Sequence, residues 1–269
     1  MRQWQLIVEQ IPQTGAYNMA VDETLLEQVA AGARPPTLRL YRWHPFCLSL
    51  GYGQAAADVD QVRLAARGWD LVRRPTGGKA ILHGDEVTYS VALPLEDELA
   101  RGDVLESYRR LSEGLMAALV LLGLTPVSEK AHAQTSARGP VCFEVPSHYE
   151  ITVHGRKLIG SAQVRRRAGL LQHGTLPLYG DIASICEVLP YESEVERDAA
   201  RVHVRARAAT LQDVLGRRVD EQEAMAALAA GFEQTFSITF TEGELTAEEQ
   251  AQVEKRARTY LDAEWTHKR

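Results

Sequence analysis

Apolar residues return at helical spacing through residues 17–31 (YNMAVDETLLEQVAA), where Met19, Leu25, Leu26 and Val29 share a face and Asn18 occupies the expected N-cap position. Pro35-Pro36 closes that unit. The segments TLRLYRW (37–43) and CLSLGY (47–52) then predict strands around a turn at His44-Pro45. Residues 58–67 predict a helix, WDLVRRP (69–75) a strand, TGGKA a loop, and EVTYSVALPL (86–95) another strand. A long amphipathic helix is predicted over 104–122, stopped by Gly123. Residues 128–146 are loop-rich. After them a strand at 148–153 turns at His154-Gly155 and returns over 156–164, and a further strand follows at 169–178. The last third is helical, with capping-box patterns at Thr210-x-x-Asp213, Asp220-x-x-Glu223 and Thr246-x-x-Glu249, and a short strand in SITFTEGEL between the last two. Most neighbouring strands are joined by tight turns. The expectation is therefore an α+β fold, a mixed and mostly antiparallel sheet flanked by helices, forming a single domain over 1–269. No Gly-x-Gly-x-x-Gly and no Walker loop occurs.

Composition narrows the function more than the fold. Apolar residues make up 45% and charged residues 25%, as in ordinary soluble domains, and the net charge of −6 argues against bulk binding of nucleic acid. Basic residues cluster at Arg156, Lys157, Arg165, Arg166 and Arg167, and again at Arg197, Arg201, Arg205 and Arg207. Such runs read either as a solvated face or as a docking surface for an acidic protein. No apolar run is long enough to cross a bilayer, and MRQWQLIVEQIPQTG lacks a signal-peptide pattern, so no membrane partner is expected. Three cysteines without a Cys-x-x-Cys pair argue against a disulfide framework or a zinc ribbon, fit a reducing cytoplasm, and leave one cysteine for chemistry.

Four clusters carry that chemistry. In Arg73-Arg74-Pro75-Thr76-Gly77-Gly78-Lys79-Ala80, with His83 beyond, two glycines permit close approach of backbone to a ligand among cationic donors; the alternative is a hairpin loop with solvated arginines. In Gly155 to Gln163, the small residues Gly160, Ser161 and Ala162 fill a core poorly and mark a place where something lies against the strand. Lys157 lies in the same strand, and if it turns inward it needs a partner; the alternative is an edge lysine in water. Cys142 sits between Pro140 and Pro146 in a loop, whereas Cys47 and Cys186 lie in apolar runs and read as structural. His173-Gly174, within Gln172 to Leu176, again implies close packing against a ligand, a satisfied structural histidine being the alternative.

Taken in order, these clusters resemble the lipoate-protein ligase and octanoyltransferase family, related to biotin protein ligases. The likeness runs from Asn18-Met19-Ala20 and Asp22-Glu23 through Tyr41-Arg42-Trp43, Leu48-Ser49-Leu50-Gly51, Arg73 to Gly78, Lys157 to Gln163 and Gln172 to Leu176, covering most of residues 15–180. Val141 to Glu150 looks like the nucleophile loop of the LipM-type octanoyltransferases, and Leu82-His83 with Glu86 to Ser90 looks like the same branch. Gly84 departs from an acidic residue expected there, and Lys79 from the glycine that ligases tend to carry. The resemblance implies transfer of octanoyl from octanoyl-acyl carrier protein to a lysine of a lipoyl-carrier protein (the glycine cleavage H protein or a dehydrogenase lipoyl domain) through acyl-Cys142, with Lys157 as the second catalytic residue. It implies substrate contacts from Arg73, Arg74, Thr76, Gly77, Gly78, His83, Gly160, Ser161, Ala162, His173 and Gly174. Exchange of one thioester for another is nearly balanced, so no cofactor and no metal are expected, nor an accessory C-terminal domain; a monomer is expected. The competing implications are an ATP-dependent lipoate or octanoate ligase, an amidotransferase between lipoyl carriers, and a non-catalytic acyl- or biotin-binding module.

Overall fold

A computed structural model describes residues 2–130, 149–166 and 168–268. Strand β1 (Arg2–Val8) leads into helix α1 (Gly15–Ala30), which crosses back to β2 (Thr37–Tyr41), and β1 and β2 pair in parallel. Thr14, not Asn18, caps α1: its side chain accepts from the Tyr17 amide, and the helix starts two residues before the periodicity begins. Asn18 lies one turn inside, buried, where its amide donates to the carbonyls of Gln13 and Arg42.

Strands β3 (Cys47–Leu50), β4 (Asp70–Arg73) and β5 (Ile81–His83) form a small sheet in the order β4-β3-β5, with helix α2 (Gln61–Ala66) between β3 and β4. The large sheet continues through β6 (Glu86–Pro94), β7 (Val127–Lys130), β8 (Tyr149–Val153), β9 (Arg156–Arg166), β10 (Gly169–Pro177) and β11 (Ile238–Glu242). Its order is β11-β1-β2-β6-β10-β9-β8-β7; the β11, β1 and β2 pairings are parallel and the rest antiparallel. The expected mixed, mostly antiparallel sheet flanked by helices is present. β1, β5 and β7 lie outside the predicted strands: β5 and β7 have only three and four residues, and pairing with a neighbour makes them strands rather than their own pattern.

Helix α3 (Val104–Leu121) opens on the full capping box of Asp103 and Glu106 and ends at Gly123, whose φ of 88° suits glycine. After it the chain forms α4 (Glu194–Arg207), α5 (Leu211–Leu215), α6 (Glu221–Phe236), α7 (Ala247–Leu261) and α8 (Ala263–Thr266). One face of the large sheet packs on α3 and α6, in a core that includes Trp4, Tyr89 and Phe232. The other face carries α1, with α7 outside it, around Met19, Tyr41 and Trp43. A third core holds the small sheet against the 3-10 turn Ile182–Val188 and α4. The site lies where α1 and the small sheet meet the middle of the large one.

Candidate active site

Strand alternation sets the wall. On β9, Gly160 and Ala162 face a narrow cavity beside Gly174 of β10, with Met19, Tyr41, Trp43 and Ile81 opposite. Ser161, between them, turns to the other face, where its Oγ meets the Tyr89 hydroxyl at 2.6 Å. Polar side chains also line the cavity: Ser49, Arg74, His83, Thr88, His173 and Thr175. It encloses about 20 Å³, room for a water molecule, so a longer guest requires the walls to part.

Behind this wall stand two buried carboxylates. Asp22, on α1, accepts from Arg39 Nη1 at 2.9 Å, Ser90 Oγ at 2.8 Å, the Tyr41 hydroxyl at 2.8 Å and His173 Nδ1 at 3.0 Å. Burial pushes this carboxyl up, but the bonds from His173 and Ser90 and the Arg39 charge outweigh it and hold Asp22 below the usual carboxylate range. Burial also pushes the His173 imidazole below its ordinary value, against the pull of Asp22. His173 is therefore neutral, with its proton on Nδ1, and Nε2 accepts from the Thr76 hydroxyl at 2.7 Å.

Glu86 builds the matching chain. Its Oε1 takes His83 Nδ1 at 2.6 Å and Thr88 Oγ1 at 2.6 Å, and its Oε2 takes the Thr175 hydroxyl. His83 Nε2 then meets Ser49 Oγ at 2.8 Å, and the ring stacks on Trp43 at 3.9 Å. Arg74 Nη1 reaches Ser49 Oγ at 3.1 Å, while its other nitrogens hold the carbonyls of Gly77 and Lys79 at 2.8 and 2.7 Å. Arg74 thus braces the Thr76-Gly77-Gly78 loop from within. Gly78 takes a φ of 92°, and a Cβ on Gly51 would lie 1.9 Å from the Gly78 carbonyl oxygen, so both glycines are structural requirements of the loop.

Arg73 is fully buried and does not line the cavity. It donates to the carbonyls of Gly51, Gln54 and Thr266, and the Trp265 indole donates back to the Arg73 carbonyl at 2.9 Å. Residues distant in sequence, on α8, are thereby tied to the glycine loop.

Lys157 is buried together with Leu158 and Ile159, where both faces of β9 are covered and the β8–β9 register shifts between Ile151 and Thr152. Its Nζ lies 3.0 Å from Glu150, its stem runs past Gly160, where a Cβ would meet Cε at 3.4 Å, and its carbonyl accepts from the Ala209 amide. Cys142 lies outside the described residues. Cys47 and Cys186 are buried, and burial pushes the Cys47 thiol well up, away from nucleophilic use.

Several members of the basic runs are held by internal contacts. Arg197 holds the carbonyls of Cys186 and Leu189, Arg201 pairs with Glu187 and Asp198, Arg205 pairs with Asp181, and Arg165 donates to carbonyls of Ala100, Gly102 and Asp103. A larger groove of about 940 Å³ lies on the outer side of α1, where Glu23 and Glu27 pair with Arg166 and Arg256. Its residues are distinct from those of the cavity. Among the described residues no helix is long and apolar enough to cross a membrane.

The mixed sheet flanked by helices, with a buried lysine beside its narrow cavity, is the fold of a lipoate protein ligase catalytic domain. Residues 14–233 match the lipoyl protein ligase A/B catalytic domain. The chain is 42% identical to octanoyltransferase LipM of Kyrpidia tusciae over 95% of its length and 96% of that protein, and 38% identical to octanoyltransferase LipM of Exiguobacterium sibiricum over the whole of both. It also superposes on the bipartite lipoate protein ligase from an archaeal lipoylation system of Thermoplasma acidophilum, with a TM-score of 0.83 at 26% identity, covering 99% of this chain and 97% of that one. The chain belongs to the lipoyl protein ligase A/B catalytic family, and is an acyltransferase of its octanoyltransferase branch.

Proposed function

We propose that the protein moves an octanoyl group from octanoyl-acyl carrier protein to a lysine of a lipoyl-carrier protein, through a thioester on Cys142. The observation that carries this is Lys157: a cation paired with Glu150 inside the fold, on the small-residue strand that lines the cavity. A buried charge needs a partner, which Glu150 supplies, and its place against the cavity strand makes it available to the reacting carbonyl. In the first step the Cys142 thiolate attacks the donor carbonyl and the carrier thiol departs. In the second, the neutral amine of the acceptor lysine attacks the acyl-cysteine, the thiolate leaves, and the nitrogen loses a proton to give the amide. The Lys157 ammonium favours the thiolate and the negative charge that develops on the carbonyl oxygen. The hydrocarbon chain enters the Gly160–Ala162–Gly174 cavity as the Met19 and Ile81 side chains give way.

The working form is a cytoplasmic monomer in this reading, in keeping with free Cys47 and Cys186. Intact-mass spectrometry after incubation with octanoyl-acyl carrier protein, without ATP, tests it. One octanoyl added, released by hydroxylamine and absent in Cys142→Ala, is the expected result. Modification of the lipoyl carrier only when ATP and free octanoate are supplied would replace it with the ligase reaction.

A further inference from the structure

The cavity is polar by composition, yet every hydroxyl on its wall donates to a described partner. Tyr41 and His173 give their protons to Asp22; His83, Thr88 and Thr175 give theirs to Glu86. Ser49 donates to His83 Nε2, because Glu86 holds that ring's proton on Nδ1, and the Trp43 indole donates to Thr88 Oγ1 at 2.7 Å. Asp22 and Glu86 are 0% and 4% exposed and do not themselves line the cavity.

We propose that Asp22 and Glu86 set the substrate specificity of the acyl site: they absorb the donors of a polar-built wall, so that the wall accepts an unsubstituted hydrocarbon chain and rejects one that carries a hydroxyl. This rests on the octanoyl-transfer reading and deepens it. A hydroxyl on the chain would find no donor for its oxygen, because the wall hydroxyls give their protons to Asp22, Glu86 and His83 and Arg74 gives its own to Ser49 and to loop carbonyls; the bonds that oxygen accepts in water would be lost. The wall is also pre-organised, since each histidine tautomer is locked by a carboxylate that cannot donate. Both are positioning residues, acting through His173, His83 and the wall hydroxyls.

The test compares octanoyl- and 7-hydroxyoctanoyl-acyl carrier protein as donors to an apo lipoyl domain. The unaltered enzyme is expected to prefer octanoyl in kcat/KM by roughly ten- to a hundred-fold. Glu86→Gln brings in an N–H where only acceptors stood, and is expected to narrow that preference to about three-fold or less. Nitrogen-15 NMR of the imidazoles should show His83 leaving the Nδ1–H tautomer, a change that loss of packing alone does not produce. Should Glu86→Gln not fold, Ser49→Ala carries the test: it strips the hydroxyl from His83 Nε2, leaving an acceptor and a small space at the wall, and the hydroxylated donor gains. Equal use of both donors by the unaltered enzyme overturns the proposal, as does full preference retained in folded Ser49→Ala. Absence of any octanoyl transfer by the unaltered enzyme brings down the proposal and the functional reading together.

Discussion

At the residue scale, two glycines of the cavity wall differ in what they tolerate. A Cβ on Gly160 meets only Lys157, at 3.4 Å from Cε and 3.8 Å from Nζ, which is ordinary contact. Gly160→Ala is expected to fold with an unchanged melting temperature while its methyl narrows the cavity. In competition among hexanoyl, octanoyl and decanoyl donors, the preference should move toward hexanoyl; an unmoved preference would place the chain elsewhere. A Cβ on Gly174 meets the Gly160 carbonyl oxygen at 2.5 Å and Tyr89 at 2.7 Å, backbone and packed ring that cannot step aside. Gly174→Ala is expected to cost about 1–3 kcal/mol, read as a lowered midpoint in urea. The small-residue runs were legible as places of close approach. The roles of Asp22 and Glu86 are not legible in the sequence, though Asp22 carries a signal: a carboxylate on the apolar face of α1, three residues after Met19. Its partners Arg39, Tyr41, Ser90 and His173 come from β2, β6 and β10, and only folding brings them together.

At the element scale, the C-terminal helix α8 belongs to the site loop. Arg73 bonds the Thr266 carbonyl through Nε and Nη2, and Trp265 bonds the Arg73 carbonyl and packs edge-on against Tyr260. Arg73→Lys keeps the charge but lacks the planar fork that serves Gly51 and Thr266 together. A several-fold rise in KM for the acyl donor is expected, with the same rise in Trp265→Ala and little further loss in the double variant, since both break one connection. Additive losses would show that α8 and the loop act independently. The Arg-Arg pair was legible as a cluster but read as reaching outward to substrate. Its first member turns inward because β4 pairs with β3 and buries that position, which depends on a neighbouring strand and not on the local pattern.

At the scale of the whole molecule, the buried network sets how the fold responds to acid. The folded-state value of His173 lies below the unfolded value of about 6.5, so in the interval between them the unfolded chain holds a proton that the native protein lacks. Stability therefore rises with pH across that interval and is lost as pH falls below about 6.5. Asp22 is depressed in the fold; its contribution is present above about 3.9 and is lost as pH falls through its lower folded value. The two act in the same direction but in separate windows, the histidine first. Charging His173 would also turn Nε2 from acceptor to donor, force the Thr76 hydroxyl to turn and accept from it, and set a third cation beside Arg39 and Arg74. Urea titrations at pH 7.5, 6.0 and 5.0 should then show the native protein losing stability in the first interval. His173→Gln, which cannot take up that proton, should show a shallower loss between pH 6.5 and 5 and the same steep loss below pH 4. Parallel curves for the two proteins would assign the first limb to another histidine and detach the Asp22–His173 pair from the acid response of the fold.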